Sequence, residues 1–334
     1  MNEFKQKTLT RRHALAMLSA AGAGVLTSFV PQFALAQDKK ANQGLLRIGY
    51  QKAASTLVLL KAHGTLEKRL APLGIEVKWA EFSAGPQLLE ALNVGSVDFG
   101  YVGEAPPIIA QAAGADFVYS GYEIPTPLAE SILVQQHSPI KTVTELKGKK
   151  IAFNKGSDVH WLVISLLKKA GITYSEFQPI YLAPADARAA FERGAVDAWA
   201  IWDPFQTAAI KQLNARGLAS GAGVVSHHQF FLSARKYAEK NPAIISAILE
   251  EAGKEGQWIR ANLKDAAVQL APIQGLDKDV IEIGLKNYAH IYKPIDSKVL
   301  DEQQKIADTF FELKLIPKKI STRDAMLATP SPKG

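Results

Sequence analysis

Pro86-Gln87-Leu88-Leu89-Glu90-Ala91-Leu92-Asn93-Val94-Gly95-Ser96-Val97-Asp98-Phe99 reads as one local unit. A proline at the start suits the first helical turn, where its missing N–H is no loss, and Gly95 just past Val94 stops the helix. Val97-Asp98-Phe99 then begins a strand. The same order returns at Pro184, which opens a helix to Arg193; Gly194 ends it and Val196-Asp197-Ala198 follows. Two such units fit two lobes of one plan. Chance recurrence of a common helix-to-strand turn is the plainer alternative.

Outward from these units, short strands and helices alternate. Strands are expected at 45–50, 75–82, 97–102, 117–122, 131–135, 151–154, 178–182 and 196–202. Helices are expected from Ser55, over 86–94, 157–170, 184–193 and 203–214, and through most of the chain after Asn241. Thr142 and Glu145 carry the capping-box spacing of a short helix. This alternation argues for an α/β fold with parallel sheets. Ligands of such sheets bind at the carboxyl ends of the strands, so two facing lobes would hold one in the cleft between them.

The composition is that of a soluble globular protein: 334 residues, 47% hydrophobic, with a formal charge of +7. Residues 1–36 look like an address. Lys5, Lys7, Arg11 and Arg12 form a basic start, an apolar stretch runs from Ala14 to Val30, and Ala34-Leu35-Ala36 has the small residues of a cleavage site. Thr10-Arg11-Arg12 resembles a twin-arginine signal, but His13-Ala14 stands where a Phe usually follows, so general secretion stays open. Export to the periplasm with cleavage near Ala36 is expected. Four basic residues and one acid leave with that segment, so +3 of the +7 goes and +4 remains. No run of five basic residues persists, which leaves nucleic-acid binding little support, and no such partner is expected. No later apolar stretch reaches the roughly 20 residues of a membrane span. The tail 328–334 is expected to be flexible.

The chain has no cysteine, which excludes disulfides, thiolate metal sites, a lipid anchor and a cysteine nucleophile. It also lacks a G-x-S-x-G elbow, a Walker loop and H-E-x-x-H. His227-His228 are adjacent, so in a strand they face opposite ways and cannot share a metal. No catalytic residue, metal or cofactor is expected.

Four strand-to-helix junctions carry small or hydroxyl residues where a helix begins. They are Lys52-Ala53-Ala54-Ser55-Thr56, Ser83-Ala84-Gly85-Pro86-Gln87, Gly103-Glu104-Ala105-Pro106 and Lys155-Gly156-Ser157-Asp158-Val159-His160. A helix start presents free N–H groups and partial positive charge, so it attracts an oxyanion. Ordinary capping explains any one of them; four in a two-lobed chain point to a site. Trp199, Trp202 and Asp203 mark a fifth strand end, where the indoles either bound an apolar ligand tail or belong to the core.

These residues resemble the periplasmic aliphatic sulfonate-binding proteins of ABC importers, within the wider sulfonate, nitrate and taurine group. The likeness runs through Leu46-Arg47-Ile48-Gly49-Tyr50-Gln51-Lys52, the stretch from Gly85 to Gly100, Pro184 to Gly194, Val196 to Pro204 and His228-Gln229-Phe230. It implies a two-lobed periplasmic binding protein fold, type II-like, with two crossover strands and a ligand cleft. Lobe 1 would comprise 44–133 plus 229–327, and lobe 2 would comprise 134–228. The implied ligand-facing residues are Gln51, Lys52, Ser55 and Thr56; Ser83, Gly85 and Gln87; Gly103 and Glu104; and Ser157, Asp158, Val159 and His160. Trp199, Trp202 and Asp203 would meet the alkyl or amine end. Ala53-Ala54 depart from the bulkier or hydroxyl residues of some relatives. The implied role is that of a monomer that captures a small organic sulfonate and delivers it to a membrane permease. Taurine, nitrate or another small anion is the alternative ligand. An enzyme on this fold is the third reading, weakened because the related desulfinases use a cysteine.

Overall fold

The protein is described here by a computed structural model covering residues 44–327. Residues 1–36, expected to be an export signal, and the tail 328–334, expected to be flexible, lie outside the described residues. The chain first lays down β1 (Gly44–Gln51), α1 (Ser55–His63), α2 (Thr65–Leu70), β2 (Ile75–Phe82), α3 (Gly85–Asn93), β3 (Phe99–Gly103), α4 (Ala105–Ala112) and β4 (Phe117–Glu123). It then forms β5 (Glu130–Val134), β6 (Lys150–Phe153), α5 (Asp158–Lys169), β7 (Gln178–Tyr181), α6 (Pro184–Glu192), β8 (Ala198–Trp202), α7 (Phe205–Gln212) and β9 (Arg216–Ser220). Last come β10 (Gln229–Ala234), α8 (Arg235–Lys240), α9 (Pro242–Ala261), α10 (Leu263–Gln274), α11 (Lys278–Asn287), β11 (Tyr292–Lys293) and α12 (Ser297–Glu312).

Two sheets result, one per lobe. The first has the order β11-β4-β10-β3-β1-β2 and the second β7-β6-β8-β5-β9. Each contains a parallel trio, β2-β1-β3 or β7-β6-β8. Beside each trio lies one strand running the other way, β10 or β5. The sheets are therefore mixed, not wholly parallel as expected. The reason is directional. A chain arriving from the other lobe enters a sheet at the cleft, where the trio's carboxyl ends lie, and so must run backwards through it. The resemblance implied two crossover strands, but the strands that flank the crossings each stay in one sheet, β5 with β8 and β9 and β10 with β3 and β4. The crossings themselves are 124–129 and 221–228.

The Val-Asp echo is a repeated clasp. In the first lobe the Asp98 N–H donates to Arg47 O at 2.8 Å, and the Asp98 carboxylate accepts the Arg47 backbone N–H at 2.8 Å. In the second, the Asp197 N–H donates to Lys150 O at 2.9 Å, and its carboxylate accepts the Lys150 N–H at 2.7 Å. Each aspartate thus ties the last strand of its parallel trio, β3 or β8, to the first, β1 or β6. The Arg47 guanidinium adds two bonds to Asp98, at 2.6 and 2.9 Å.

The Thr142–Glu145 capping box forms, around a single 3₁₀ turn. β9 was not foreseen; Arg216-Gly217-Leu218-Ala219-Ser220 has no β-branched residue and lies at a sheet edge. β5 and β8 are buried at every position, as strands covered on both faces must be. The C-terminal helices α9 and α10 close over α1 and α2, burying Leu57, Leu60, Ile248 and Leu270. α12 carries Ile306 and Phe310 into a cluster with Ile108 of α4 and Ile164 of α5, so one apolar contact joins both lobes outside the crossings. No helix among the described residues is long and apolar enough to cross a membrane.

Candidate functional site

All four expected junctions meet at one cavity of about 20 Å³ between the lobes. Gln51, Ala53 and Ala54 reach it from the start of α1, Gly85 from α3, and Gly103 and Pro106 from α4; Ser157 and Asp158 reach it from α5. Trp202 closes it from the end of β8. A smaller cavity of about 10 Å³ adjoins it and shares Ala53, Ala54, Tyr101 and Tyr288.

The lobes touch here. The Asp158 carboxylate, from the second lobe, accepts the Ala105 N–H of the first at 3.2 Å and the Gln229 Nε2 donor at 3.3 Å. It thereby occupies the start of α4, the very position that attracts an anion. Gly103 makes room: a Cβ there would stand 1.6 Å from the Asp158 Oδ2.

Several expected residues face elsewhere. Ser83, Gln87 and Lys52 are exposed and border neither cavity. Ser55 and Thr56 line only the smaller one. The Thr56 hydroxyl accepts from the Tyr292 hydroxyl at 2.5 Å and lies 3.4 Å from His290. Val159 and Trp199 belong to the core of the second lobe, Trp199 against Phe191. Trp199 and Trp202 are an odd number of residues apart on a strand, so only one could face the cleft. Asp203 is fully buried but already bonded by Thr207 N–H (2.9 Å), Gln206 (3.2 Å) and Asn287 (2.6 Å). It therefore does not meet a ligand's amine end. His160 sits behind Ser157, where its Nδ1 accepts the Gly156 N–H at 3.2 Å and its Nε2 meets the Tyr174 hydroxyl at 2.8 Å. Burial, reinforced by Lys155, lowers its pKa to about 3, so it shapes the loop as a neutral ring.

Four lining residues escaped the sequence reading: Tyr101, His227, Gln229 and Tyr288. His227 is the most consequential. It is fully buried, holds φ at 51°, and places Nε2 3.6 Å from Asp158 and 3.7 Å from Glu130. Its Nδ1 lies 3.0 Å from Thr126 O. Burial opposes its charge, but Glu130 and Asp158 outweigh that and hold the imidazole pKa up at about 10. Its neighbour His228 turns away to Glu302 at 3.1 Å.

Behind the cavity lie two carboxylates. Burial raises Glu104 to about 8 and Glu130 to about 7, with acidic neighbours adding to both. These groups set a pH profile for stability. Glu104 and Glu130 hold protons more tightly folded than unfolded, so their contribution is full below pH 4.5 and is lost through pH 7 to 8. The His227 contribution is full below 6.5 and is lost as pH rises toward 10. His160 and His290, lowered by burial to about 3 and 4, contribute above 6.5 and lose that contribution as pH falls through 4 to 3. Above pH 6.5 none of these contributions still rises and those of Glu104, Glu130 and His227 fall, so thermal melts should give a lower midpoint at pH 9 than at pH 6. Equal midpoints at pH 6 and pH 9 would contradict this assignment.

A family model described as NMT1/THI5 like matches residues 71–264. An aliphatic sulfonates-binding protein of Escherichia coli (strain K12) is 47% identical over 308 residues, covering 92% of this chain and 95% of the relative. Among solved structures, the alkanesulfonate-binding protein SsuA from Xanthomonas axonopodis pv. citri bound to MOPS matches with a TM-score of 0.82 and 43% identity, over 86% of this chain and 99% of that one. The periplasmic aliphatic sulphonate binding protein SsuA from Escherichia coli matches with a TM-score of 0.77 and 48% identity, over 85% and 97%.

Proposed function

Because this chain belongs to the NMT1/THI5-like family, whose closely matching members include sulfonate-binding proteins, we propose that it captures aliphatic sulfonates and delivers them to an ABC permease. The observation that carries this reading is the convergence of four helix starts, three from one lobe and one from the other, on a single interlobe cavity. A sulfonate is a permanent anion with three acceptor oxygens, and N–H donors at helix starts satisfy such oxygens without a full countercharge. Asp158 takes the start of α4, so the oxyanion goes to the starts of α1, α3 and α5, beside His227.

The accompanying assignments rest on the sequence. Residues 1–36 are the export signal, cut near Ala36, and the protein works in the periplasm as a monomer without enzymatic activity. The lobes divide at the crossings, near 124–129 and 221–228. Lobe closure around the ligand forms the surface a permease reads.

A thermal-shift panel tests the function: alkanesulfonates, taurine, sulfate, nitrate and phosphate. A ligand present at one hundred times its dissociation constant should stabilise the fold by about 2.7 kcal/mol. The expected result is a shift with alkanesulfonates. A shift with nitrate and none with any sulfonate would overturn the assignment.

A further inference from the structure

Two acidic residues lie behind the site, one a residue beyond Gly103 and one across the His227 ring, which is unexpected beside an anion. Glu104 and Glu130 are 2% and 0% exposed. Neither oxygen of Glu130 has a hydrogen-bond partner, and neither does the Glu104 Oε1. The Glu104 Oε2 accepts only the His228 N–H, at 3.0 Å. Glu130 faces the His227 ring, which itself borders the cavity. A buried carboxylate with two orphaned oxygens is costly when ionised and far less so when protonated. A second anion brought against His227 would compete for the one cationic group that lines the cavity among the described residues and repel both carboxylates.

We propose that anion capture is coupled to uptake of a proton by the buried carboxylates Glu104 and Glu130. This rests on the anion-binding reading above. The proton comes from solvent, lodges on a carboxylate oxygen and offsets the charge the ligand brings. Each carboxylate titrates near neutrality in the unliganded protein, and a neighbouring anion moves it upward.

The other titratable groups packed around this cluster are occupied. Asp158 is bonded across the lobes by Ala105 and Gln229. Glu123, at the end of β4, accepts from Tyr101 and from the His290 N–H; burial raises it only to about 6. Asp203 holds its three donors. The Tyr288 hydroxyl donates to Asp203 O at 3.2 Å, and burial keeps it protonated. His227 stays cationic through the neutral range.

The test is calorimetric titration of the whole protein with ethanesulfonate at pH 7.5, in buffers of different ionisation enthalpy. The binding heat should vary with the buffer in the sense of proton uptake. The dissociation constant should be flat below pH 6 and weaken above pH 8, approaching tenfold per pH unit for one proton. Glu130→Gln and Glu104→Gln should each reduce the uptake. If one variant fails to fold, the other and the wild-type proton count decide. Buffer-independent heats with a flat dissociation constant from pH 6 to 9, or uptake unchanged in every folded variant, would overturn the coupling alone. Failure to bind ethanesulfonate or any other sulfonate at pH 6 would overturn the sulfonate reading and the coupling with it.

Discussion

Gly103→Ala should abolish tight ligand binding while leaving each lobe folded. The added methyl would lie 1.6 Å from one oxygen of Asp158 and 2.0 Å from its carboxyl carbon. The carboxylate must leave, and its bonds to Ala105 N–H and Gln229 leave with it. Hydrogen bonds to a charged group contribute about 1.5–3 kcal/mol each, so losing both should weaken closure and affinity by roughly a hundredfold or more. Calorimetry would show the lost affinity, and small-angle scattering a larger radius at saturating ligand. The melting midpoint without ligand should fall too, because both interlobe bonds exist without ligand, but each lobe should keep its fold, since the atoms nearest the methyl all belong to Asp158. Affinity within threefold of wild type would show that the contact between Asp158 and the start of α4 is dispensable for binding.

Phe310→Ala should have the largest effect on stability. Phe310 is fully buried on α12, with its ring 5.6 Å from His160 and 6.1 Å from Trp161. Removing a buried Phe side chain costs about 3–5 kcal/mol through lost transfer energy and the cavity left behind. The cost should sit at the upper end, because the wall is built from three helices of different lobes and cannot collapse inward from one side. Urea unfolding should show a lower midpoint with an unchanged slope. A loss under about 1 kcal/mol would mean the site collapses freely, against that wall's rigidity.

What was legible in the sequence was what is local. The helix between Pro86 and Val94, its glycine stop and the Val-Asp strand that follows are all written within fifteen residues or so, and so is the second copy at Pro184. The junctions could be placed because a helix start declares itself by its capping residues. Contacts made at long range could not. Thr56 looks like a free hydroxyl until Tyr292 arrives 236 residues later, and Asp203 looks available until Asn287 arrives 84 residues later. His227 follows no local pattern; its weight comes from Glu130, Asp158 and a left-handed backbone just before β10. Tyr101 is the middle of a buried strand by every local sign, yet its ring borders both cavities. One error was avoidable: the odd spacing of Trp199 and Trp202 already put them on opposite faces of β8.

The place of β10 dictates an order of assembly. The second sheet draws all its strands from one continuous stretch, 130–220, and can form as soon as that stretch exists. The first cannot. β3 and β4 are close in the chain but not neighbours in the sheet, because β10 lies between them. Until Gln229–Ala234 is synthesised, β3 and β4 keep open edges, and those edges must wait through more than a hundred residues of chain. Long-range pairings of this kind are slow and expose sticky strand edges meanwhile. The lobe whose residues emerge first is therefore the one that finishes last, and the nascent chain is most vulnerable to mispairing in the interval before β10 slots in.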